Sequence, residues 1–515
     1  MMAVINDLFS NGMKEVLQNR VESYPVYVYC FNDILNKRLL IRLENGSLFR
    51  GSRVASGSNV NPPLRKIRPY LINLLRRRST VQKTGIMFVS RFRSMGVDEA
   101  ERVRTDYLFD PVINEICKNP PPLGMALVCV GGQGKHYTDD RVKNFGLFDF
   151  LSLRLLLKSL FGSGLLYLKY RRLAKRLSNT QKEIFGGFFT LPSLLFSHLL
   201  DFCLGSAIRD LDPEVIVAND DVLVFKPFTH TTCKLIVLQS ASVREQVERH
   251  RDLLFSGFLD DSLLSDCFCA SGSQSMSLKE KFLKDTRKIV VTGQPRFDSL
   301  ARANEFFHRD KICRKFGLTM SKKILLWATD SGLPEEESKE NISAVYQAAS
   351  VLENVQLAIK LHPAEDQGAP LYKQNHSYAP IILRGKQPIS ELLYVCDVMI
   401  TKASTTANEA AILNKPIVVL NLSGEPDAMP YVEKGIALGV YRKEGLIPAI
   451  NDALYNREVR EKLARCREKF VYEYAYIQDG RASERVANLI RSIATDPEEM
   501  EMTSRLVRRR IVPAR

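Results

Sequence analysis

The chain has little that would staple it, anchor it or mark it as an ATPase. Ten cysteines are spread over 515 residues, and only Cys267 and Cys269 stand close together. Neither zinc-ligand spacing nor a disulfide framework emerges, so no structural metal is expected, and the thiols read as small buried hydrophobes of a reducing compartment. The opening MMAVINDLFSNGMKEVLQ carries acidic residues and lacks a basic start followed by an unbroken apolar run, so it reads as mature chain and not as a signal peptide. No window is expected to supply the roughly 18 largely uncharged residues of a spanning helix. The phosphate loop ending in Gly-Lys-Ser/Thr is missing, which argues against ATP hydrolysis. Zinc fingers, aromatic-basic strand signatures and basic helices with partner heptads are missing too, so nucleic acid is not an expected partner.

Charge is abundant and of one sign. The formal net charge is +15, concentrated in Leu64 to Arg78, Lys169 to Leu177 and Arg505 to Arg510. Such a field attracts phosphorylated substrates or anionic lipid without choosing between them. The segment from Leu147 to Leu177 joins the two themes, because it is dense in leucine and aromatics and ends in a basic tract. That composition fits a membrane-surface helix, and equally a buried helix or an oligomer interface.

A chain of this length exceeds what one hydrophobic core usually supports, so at least two domains are expected. Short apolar runs followed by small or polar loops recur in both halves. GIMFVS from Gly85, MALVCV from Met125, EVIVAND from Glu214, CKLIVLQS from Cys233 and RKIVVTG from Arg287 read as strands of one sheet. KKILLWATDSG from Lys322, VQLAIKLHP from Val355, YAPIILRG from Tyr378, VCDVMITKAS from Val395 and KPIVVLN from Lys415 read as strands of another. Alternation with helical stretches implies an α/β chain of two Rossmann-like, helix-covered parallel sheets facing across a cleft. The expected divisions are 1–305 for an acceptor-binding domain with a basic, apolar insertion around 145–200, 306–475 for a donor-binding domain, and 476–515 for a C-terminal helical extension.

Ligands of such sheets sit beyond the carboxyl ends of the strands, so the loops there carry the chemistry. In VMITKASTTANEA the strand delivers Thr401 and Lys402 to a turn, and Ser404, Thr405 and Thr406 stand where a helix starts. Open amides and hydroxyls at that start suit diphosphate oxygens, and Glu409 suits the two hydroxyls of a ribose. A capping box from Thr406 to Glu409 reads the same residues structurally. In AIKLHPAED, Lys360 and His362 lie on one strand face and lean towards the cleft, His362 as a donor to the leaving diphosphate; a histidine satisfied by packing is the plain alternative. In VTGQPRFD, Gly293 permits close backbone approach and Arg296 offers a fork of donors to an acidic group across the cleft, unless Asp298 ties it up. After WAT, the loop Thr329, Asp330, Ser331 is placed to touch nucleotide or leaving group.

Together VTGQPRFD, KLHP and CDVMITKASTTANEA resemble the corresponding elements of the GT-B glycosyltransferase class and its relatives, the capsule and teichoic-acid polymerising transferases and the UDP-N-acetylglucosamine 2-epimerase superfamily. The resemblance covers about residues 210 to 490. It implies a C-terminal domain that binds a nucleotide-sugar donor (UDP-, GDP- or CMP-linked) as substrate, with no tightly bound cofactor, and an N-terminal domain that receives a glycan or lipid-linked acceptor. One departure stands out: some relatives carry His-Gly where this chain has Gln239 and Ser240. An inverting transfer needs a base near the acceptor hydroxyl, for which His136 in GGQGKHYTDD and Asp98 or Glu99 in SMGVDEAER are the candidates. The expected function is glycosyl transfer in surface-polysaccharide or glycolipid synthesis, in the cytoplasm, with peripheral contact at the inner face of an anionic membrane. The rival readings are transfer of an alcohol phosphate from a CDP-linked donor, a UDP-sugar 2-epimerase, and a non-catalytic binding protein.

Overall fold

The computed structural model describes residues 83–90, 95–98, 103–130, 140–179, 182, 189–219, 232–240, 265–280, 288–330, 333–362, 365, 371–373, 378–383 and 389–495. In the first half, β1 (Ile86–Ser90) leads into an antiparallel hairpin of β2 (Met95–Asp98) and β3 (Val103–Asp106). Then come α1 (Asp110–Cys117), β4 (Met125–Cys129), β5 (Val142–Gly146), α2 (Leu153–Leu173) and α3 (Leu191–Leu211). β6 (Val215–Asn219), β7 (Lys234–Leu238), β8 (Cys267–Ala270), α4 (Ser273–Glu280) and β9 (Ile289–Val291) complete it. Seven of these strands form one sheet in the order β5-β4-β1-β6-β7-β8-β9, and every pairing within it is parallel. β1, β4 and β6 are buried along their whole length, as strands covered by helices on both faces must be. Edge strand β5 reads VKNFG and is only partly buried, which is why an apolar-run reading of the sequence misses it.

The second half repeats the plan with α5 (Arg309–Phe316), β10 (Lys323–Ala328), α6 (Glu335–Val351), β11 (Val355–Lys360), β12 (Ile381–Leu383) and α7 (Ile389–Val395). It continues through β13 (Val398–Thr401), α8 (Ala407–Ile412), β14 (Ile417–Leu420), β15 (Ala437–Val440), α9 (Leu446–Tyr455) and α10 (Arg457–Ala475). Its six parallel strands run β12-β11-β10-β13-β14-β15. Successive side chains of β10 serve opposite faces: Ile324, Leu326 and Ala328 enter a core with Phe470 and Tyr474 of α10, while Leu325 and Trp327 enter another with Ile342 and Val345 of α6. This is the α/β, two-sheet architecture expected from the strand grammar.

After α10 the chain returns to the first sheet. Tyr476 takes a positive φ of 64°, a turn few non-glycine residues make, and α11 (Ala482–Thr495) follows. Val486, Ala487, Ile490 and Ile493 of α11 share a core with Phe88 of β1 and Val112 of α1. The crossing is held tightly. Asp298 accepts the backbone amides of Ala482 and Ser483, each at 2.8 Å, capping α11 from 184 residues away. A Cβ on Gly272 would meet Glu473 O at 2.2 Å, so the end of α10 passes directly over the loop after β8.

One expectation about length and apolarity needs correction. α3, LPSLLFSHLLDFCLGSAIRDL, is long and apolar enough to cross a membrane by composition, although 67% of that window is buried inside the protein. Its packing on α2 through Ser163 and His198 makes it a core helix of the first domain. The described cysteines are all free thiols.

Asp106 pins the hairpin to α1. It is 1% exposed, receives the Ser90 hydroxyl, and accepts the Leu108 and Phe109 amides at 2.9 and 3.1 Å. Burial pushes its carboxyl up to about 7 despite these bonds. A carboxyl whose folded value lies above its unfolded one stabilises the fold fully at low pH, and that contribution falls away as pH rises from about 4 to about 7. Asp106→Asn, which mimics the protonated form, should therefore gain in melting temperature relative to wild type between pH 5 and 7, with a constant difference above pH 7.5 or so. Parallel melting curves across that range would contradict this placement of the proton.

Candidate active site

Strand order reverses between β1 and β6 in the first sheet and between β10 and β13 in the second. Crevices open beyond the carboxyl ends of strands at such switch points. In the second sheet this sets the loop after β10, with Thr329 and Asp330, beside the loop after β13, with Lys402 to Thr406.

The Ser-Thr loop is built from within. Asp330 accepts the amides of Lys402 at 3.0 Å and Ala403 at 3.2 Å, and the Thr401 hydroxyl at 3.3 Å. Thr401 Oγ1 in turn accepts the Ser404 amide at 3.2 Å. These contacts correct two expectations. The first amides of the turn are not open to phosphate, because a half-buried carboxylate already fills the place an anion would take, and Asp330 organises the loop instead of reaching for nucleotide. α8 is also only six residues long and its N-cap Thr406 makes no side-chain capping bond, so the capping-box reading does not hold either. What the loop does present is hydroxyls: Ser404, Thr405 and Thr406 are all half-buried. Ser404 Oγ lies 2.8 Å from Thr406 Oγ1, and Tyr431 holds the loop from below through the Ser404 carbonyl at 3.0 Å.

Lys402 is likewise corrected. Its ammonium is 7% exposed and forms an ion pair with Glu337 of α6, while donating to Ser423 Oγ at 3.1 Å. A buried cation needs such a partner, and this one is satisfied by protein. Lys360, 6% exposed, donates to the Leu361 carbonyl at 3.2 Å and does not lean openly into the cleft. Thr329 turns inward as well: its hydroxyl accepts the His362 amide at 2.9 Å and donates to Glu365. Burial raises the Glu365 carboxyl above the ordinary glutamate value, with the Thr329 bond pulling it back. Glu365, Glu337 and Tyr372, which donates to Glu365 at 3.4 Å, were not singled out from sequence, since a lone carboxylate three residues past a histidine carries no motif. The effect is that the His362 backbone is fixed, with the residue half-buried at the carboxyl end of β11.

Arg296, in the turn after β9, meets an acidic group of the chain itself. Its guanidinium lies 3.7 Å from Glu409 Oε1, with both side chains largely buried at 15% and 10% exposure. Gln294 receives the Arg296 Nε–H and donates its own amide to the Gln239 carbonyl at 2.8 Å. Tyr107, just past β3, places its ring 5.5 Å from the guanidinium carbon. Elements of both sheets thus meet on one arginine. Burial pushes the Glu409 carboxyl above its ordinary value, and Arg296 draws it down again. Asp298 does not compete for Arg296, because it caps α11. Gly293, at φ 77°, approaches Ala482 and Arg485 of this same chain, so its freedom serves the crossing back to the first sheet and not a ligand.

Gln239, at the position where some relatives carry histidine, is 2% exposed and bonded to the Ser271 amide at 2.9 Å and Ser275 Oγ at 3.0 Å. It is a structural amide. His136, Glu99 and Ser331 lie outside the described residues; for Asp98 the backbone is described, opposite Val103 in the hairpin, and the side chain is not. A small, shallow pocket opens beside Lys402, lined among others by Trp327, Thr329, Asn341 and Tyr372. Asp330 and Lys402 line it as well, whereas Ser404 to Thr406 and Glu409 do not. No cluster of His, Cys, Asp and Glu suited to a metal occurs among the described residues.

Residues 256–492 match the family described as CDP-Glycerol:Poly(glycerophosphate) glycerophosphotransferase, a span that contains Arg296, His362 and Glu409. The teichoic acid poly(ribitol-phosphate) polymerase of Bacillus spizizenii is 25% identical over 228 residues, 41% of this chain and 35% of the relative. The chain therefore spans about a third of the length of that curated relative. Among solved structures, a chain described as UDP-N-acetylglucosamine 2-epimerase from Listeria monocytogenes superposes with a TM-score of 0.50 at 17% identity, covering 81% of this chain and 97% of that one. The wall teichoic acid polymerase TagF gives a TM-score of 0.48 at 14% identity over 92% and 99% of the two chains. The expected resemblance to teichoic-acid polymerising transferases is borne out by the family match and the curated relative, and the expected fold by the likeness to the epimerase structure.

The Arg296–Glu409 pair yields a direct test. Removing one partner of a buried pair leaves an uncompensated charge and is strongly destabilising, by about 3 kcal/mol. In a double-mutant cycle of Arg296→Ala and Glu409→Gln followed by urea unfolding, the two changes should couple by about 1 kcal/mol or more. Additive effects would show that the two side chains do not sense each other.

Proposed function

We propose that this chain is a transferase that holds a nucleoside-diphosphate-linked donor on the second sheet and passes the donor's distal group to a surface-polymer acceptor presented by the first. The observation that carries the reading is the meeting of Arg296 and Glu409 at the junction of the two sheets, one turn from three half-buried hydroxyls. Ser404, Thr405 and Thr406 donate to diphosphate oxygens. Glu409 accepts from the ribose hydroxyls, and Arg296 draws its burial-raised carboxyl back down. His362, fixed through Thr329, donates to the phosphate that departs.

The family description and the name of the curated relative both favour an alditol phosphate over a sugar as the transferred group. In that reaction the acceptor hydroxyl oxygen attacks the β-phosphorus of a CDP-alditol. A new phosphorus–oxygen bond forms, the bond to the bridging oxygen breaks, CMP leaves, and the acceptor proton passes to a base from the first domain, for which Asp98 and His136 remain the candidates. Sugar transfer would use the same grip and differ in the atom attacked, carbon in place of phosphorus.

Donor screening distinguishes these outcomes. The chain, supplied with a poly(alditol phosphate) primer, should release CMP from CDP-glycerol or CDP-ribitol. Glu409→Ala should raise the donor KM by about tenfold or more, and His362→Ala should lower kcat by about a hundredfold, both with unchanged circular dichroism. Release of UDP or GDP from sugar nucleotides alone would move the assignment to glycosyl transfer. Epimerisation without acceptor would move it to the epimerase branch, and no turnover of any donor would remove the enzymatic reading.

A further inference from the structure

α8 carries Glu409 and follows directly on the Ser404 to Thr406 loop, yet at six residues it is too short to hold its own shape. What fixes it lies behind it. At its far end Asn414 takes a φ of 54°, and the amides of Asn414 and Lys415 close on the carbonyls of Ala411 and Ala410 at 3.0 and 2.8 Å, a double closure that ends many helices. The Asn414 side-chain oxygen then accepts twice from Arg467 of α10, from Nε at 2.9 Å and from Nη2 at 2.7 Å. At the near end Tyr431 donates to the Ser404 carbonyl at 3.0 Å, and its ring meets that of Phe470 of α10 at 5.9 Å. Arg467, Phe470 and Tyr474 lie three and four residues apart, on one face of α10, and all three are buried. That face therefore backs residues 404–414 at both ends.

Arg467 is an expensive residue for packing alone. It is 4% exposed, and burial draws its guanidinium down to about 10, which leaves it a cation at neutral pH. Among the described residues it forms no ion pair, and its Nη1 has no hydrogen-bond partner. A methionine would fill the space without that desolvation. What the guanidinium supplies is direction, because a planar fork fixes the angle and distance of the group it meets, and a cation suits the negative end of a helix. The group it meets ends the helix that carries Glu409. Beside it, Ile412 and Leu413 pack against the cluster of Phe297, Leu300 and Ala475, so a shift of α8 would also move Glu409 against Arg296, the neighbour of Phe297.

We propose that Arg467 is a positioning residue of the donor site, setting through Asn414 where α8 holds the Glu409 carboxylate. The inference rests on the donor reading above and adds to it a residue that touches no ligand. Arg467→Met with Asn414→Gly removes the fork and its acceptor together, leaves no orphaned amide oxygen, and keeps at 414 a residue that accepts a positive φ. Its melting temperature should change little. In calorimetry with cytidine diphosphate the full chain should bind, and this double variant should bind about tenfold more weakly, while kcat for CMP release from CDP-glycerol at saturating donor stays within about twofold. Arg467→Lys keeps the charge and loses the fork, so it should weaken binding in the same direction and carries the test if the double variant does not fold. Built on Glu409→Ala, the Arg467 and Asn414 changes should weaken binding by less than about a further twofold, because they act through that carboxylate. Wild-type affinity in the Arg467 variants would overturn the inference and leave the donor reading in place. So would a tenfold loss that persists without Glu409. Cytidine diphosphate that binds wild type and Glu409→Ala equally would end the donor reading itself, and this inference with it.

Discussion

The arrangement depends on a buried guanidinium and a buried carboxylate meeting where the two sheets join. Arg296 comes from the turn after the last strand of the first sheet, and Glu409 from the short helix after the fourth strand of the second. Alone, either charge would be costly at such burial. Their proximity fixes how the carboxyl ends of the two sheets face each other, and Gln294 and Gln239 extend the constraint into the first sheet. Burial raises the Glu409 carboxyl and Arg296 opposes that rise, so one contact both joins the two sheets and acts on the carboxyl's charge.

Around that pair a few charged side chains of the second domain hold its loops in place. Asp330 occupies the turn amides, Glu337 holds Lys402, and Thr329 with Glu365 holds the backbone of His362. What remains for a ligand is a small set of hydroxyls on a loop that cannot easily rearrange. A preorganised site of this kind loses little conformational freedom when an anion arrives. The return of α11 to the first sheet, capped by Asp298, adds a second covalent and packed link across the junction.

The fold was legible in the sequence because its central strands are buried on both faces and therefore read as short apolar runs; β5, with VKNFG at a sheet edge, was not. That Arg296, His362 and Glu409 all follow strands was legible too. The roles of individual residues were less so. A sequence shows that Lys402 and Asp330 lie near a phosphate-like turn, but it does not show that a glutamate 65 residues away neutralises one or that the other faces backward into its own loop. Those are pairings of tertiary structure. Gly293 illustrates the same limit: its need for a positive φ is real, but the close neighbour is the returning chain.

The central claim is that an anionic, ribose-bearing donor rests between Glu409 and the Ser404 to Thr406 hydroxyls. A crystal structure with a bound cytidine diphosphate tests it most directly. The account predicts ribose oxygens within hydrogen-bond distance of Glu409 and phosphate oxygens on the three hydroxyls. A diphosphate lodged instead in the pocket beside Trp327 and Lys402, with Glu409 still closed on Arg296 and touching no ligand atom, would contradict it.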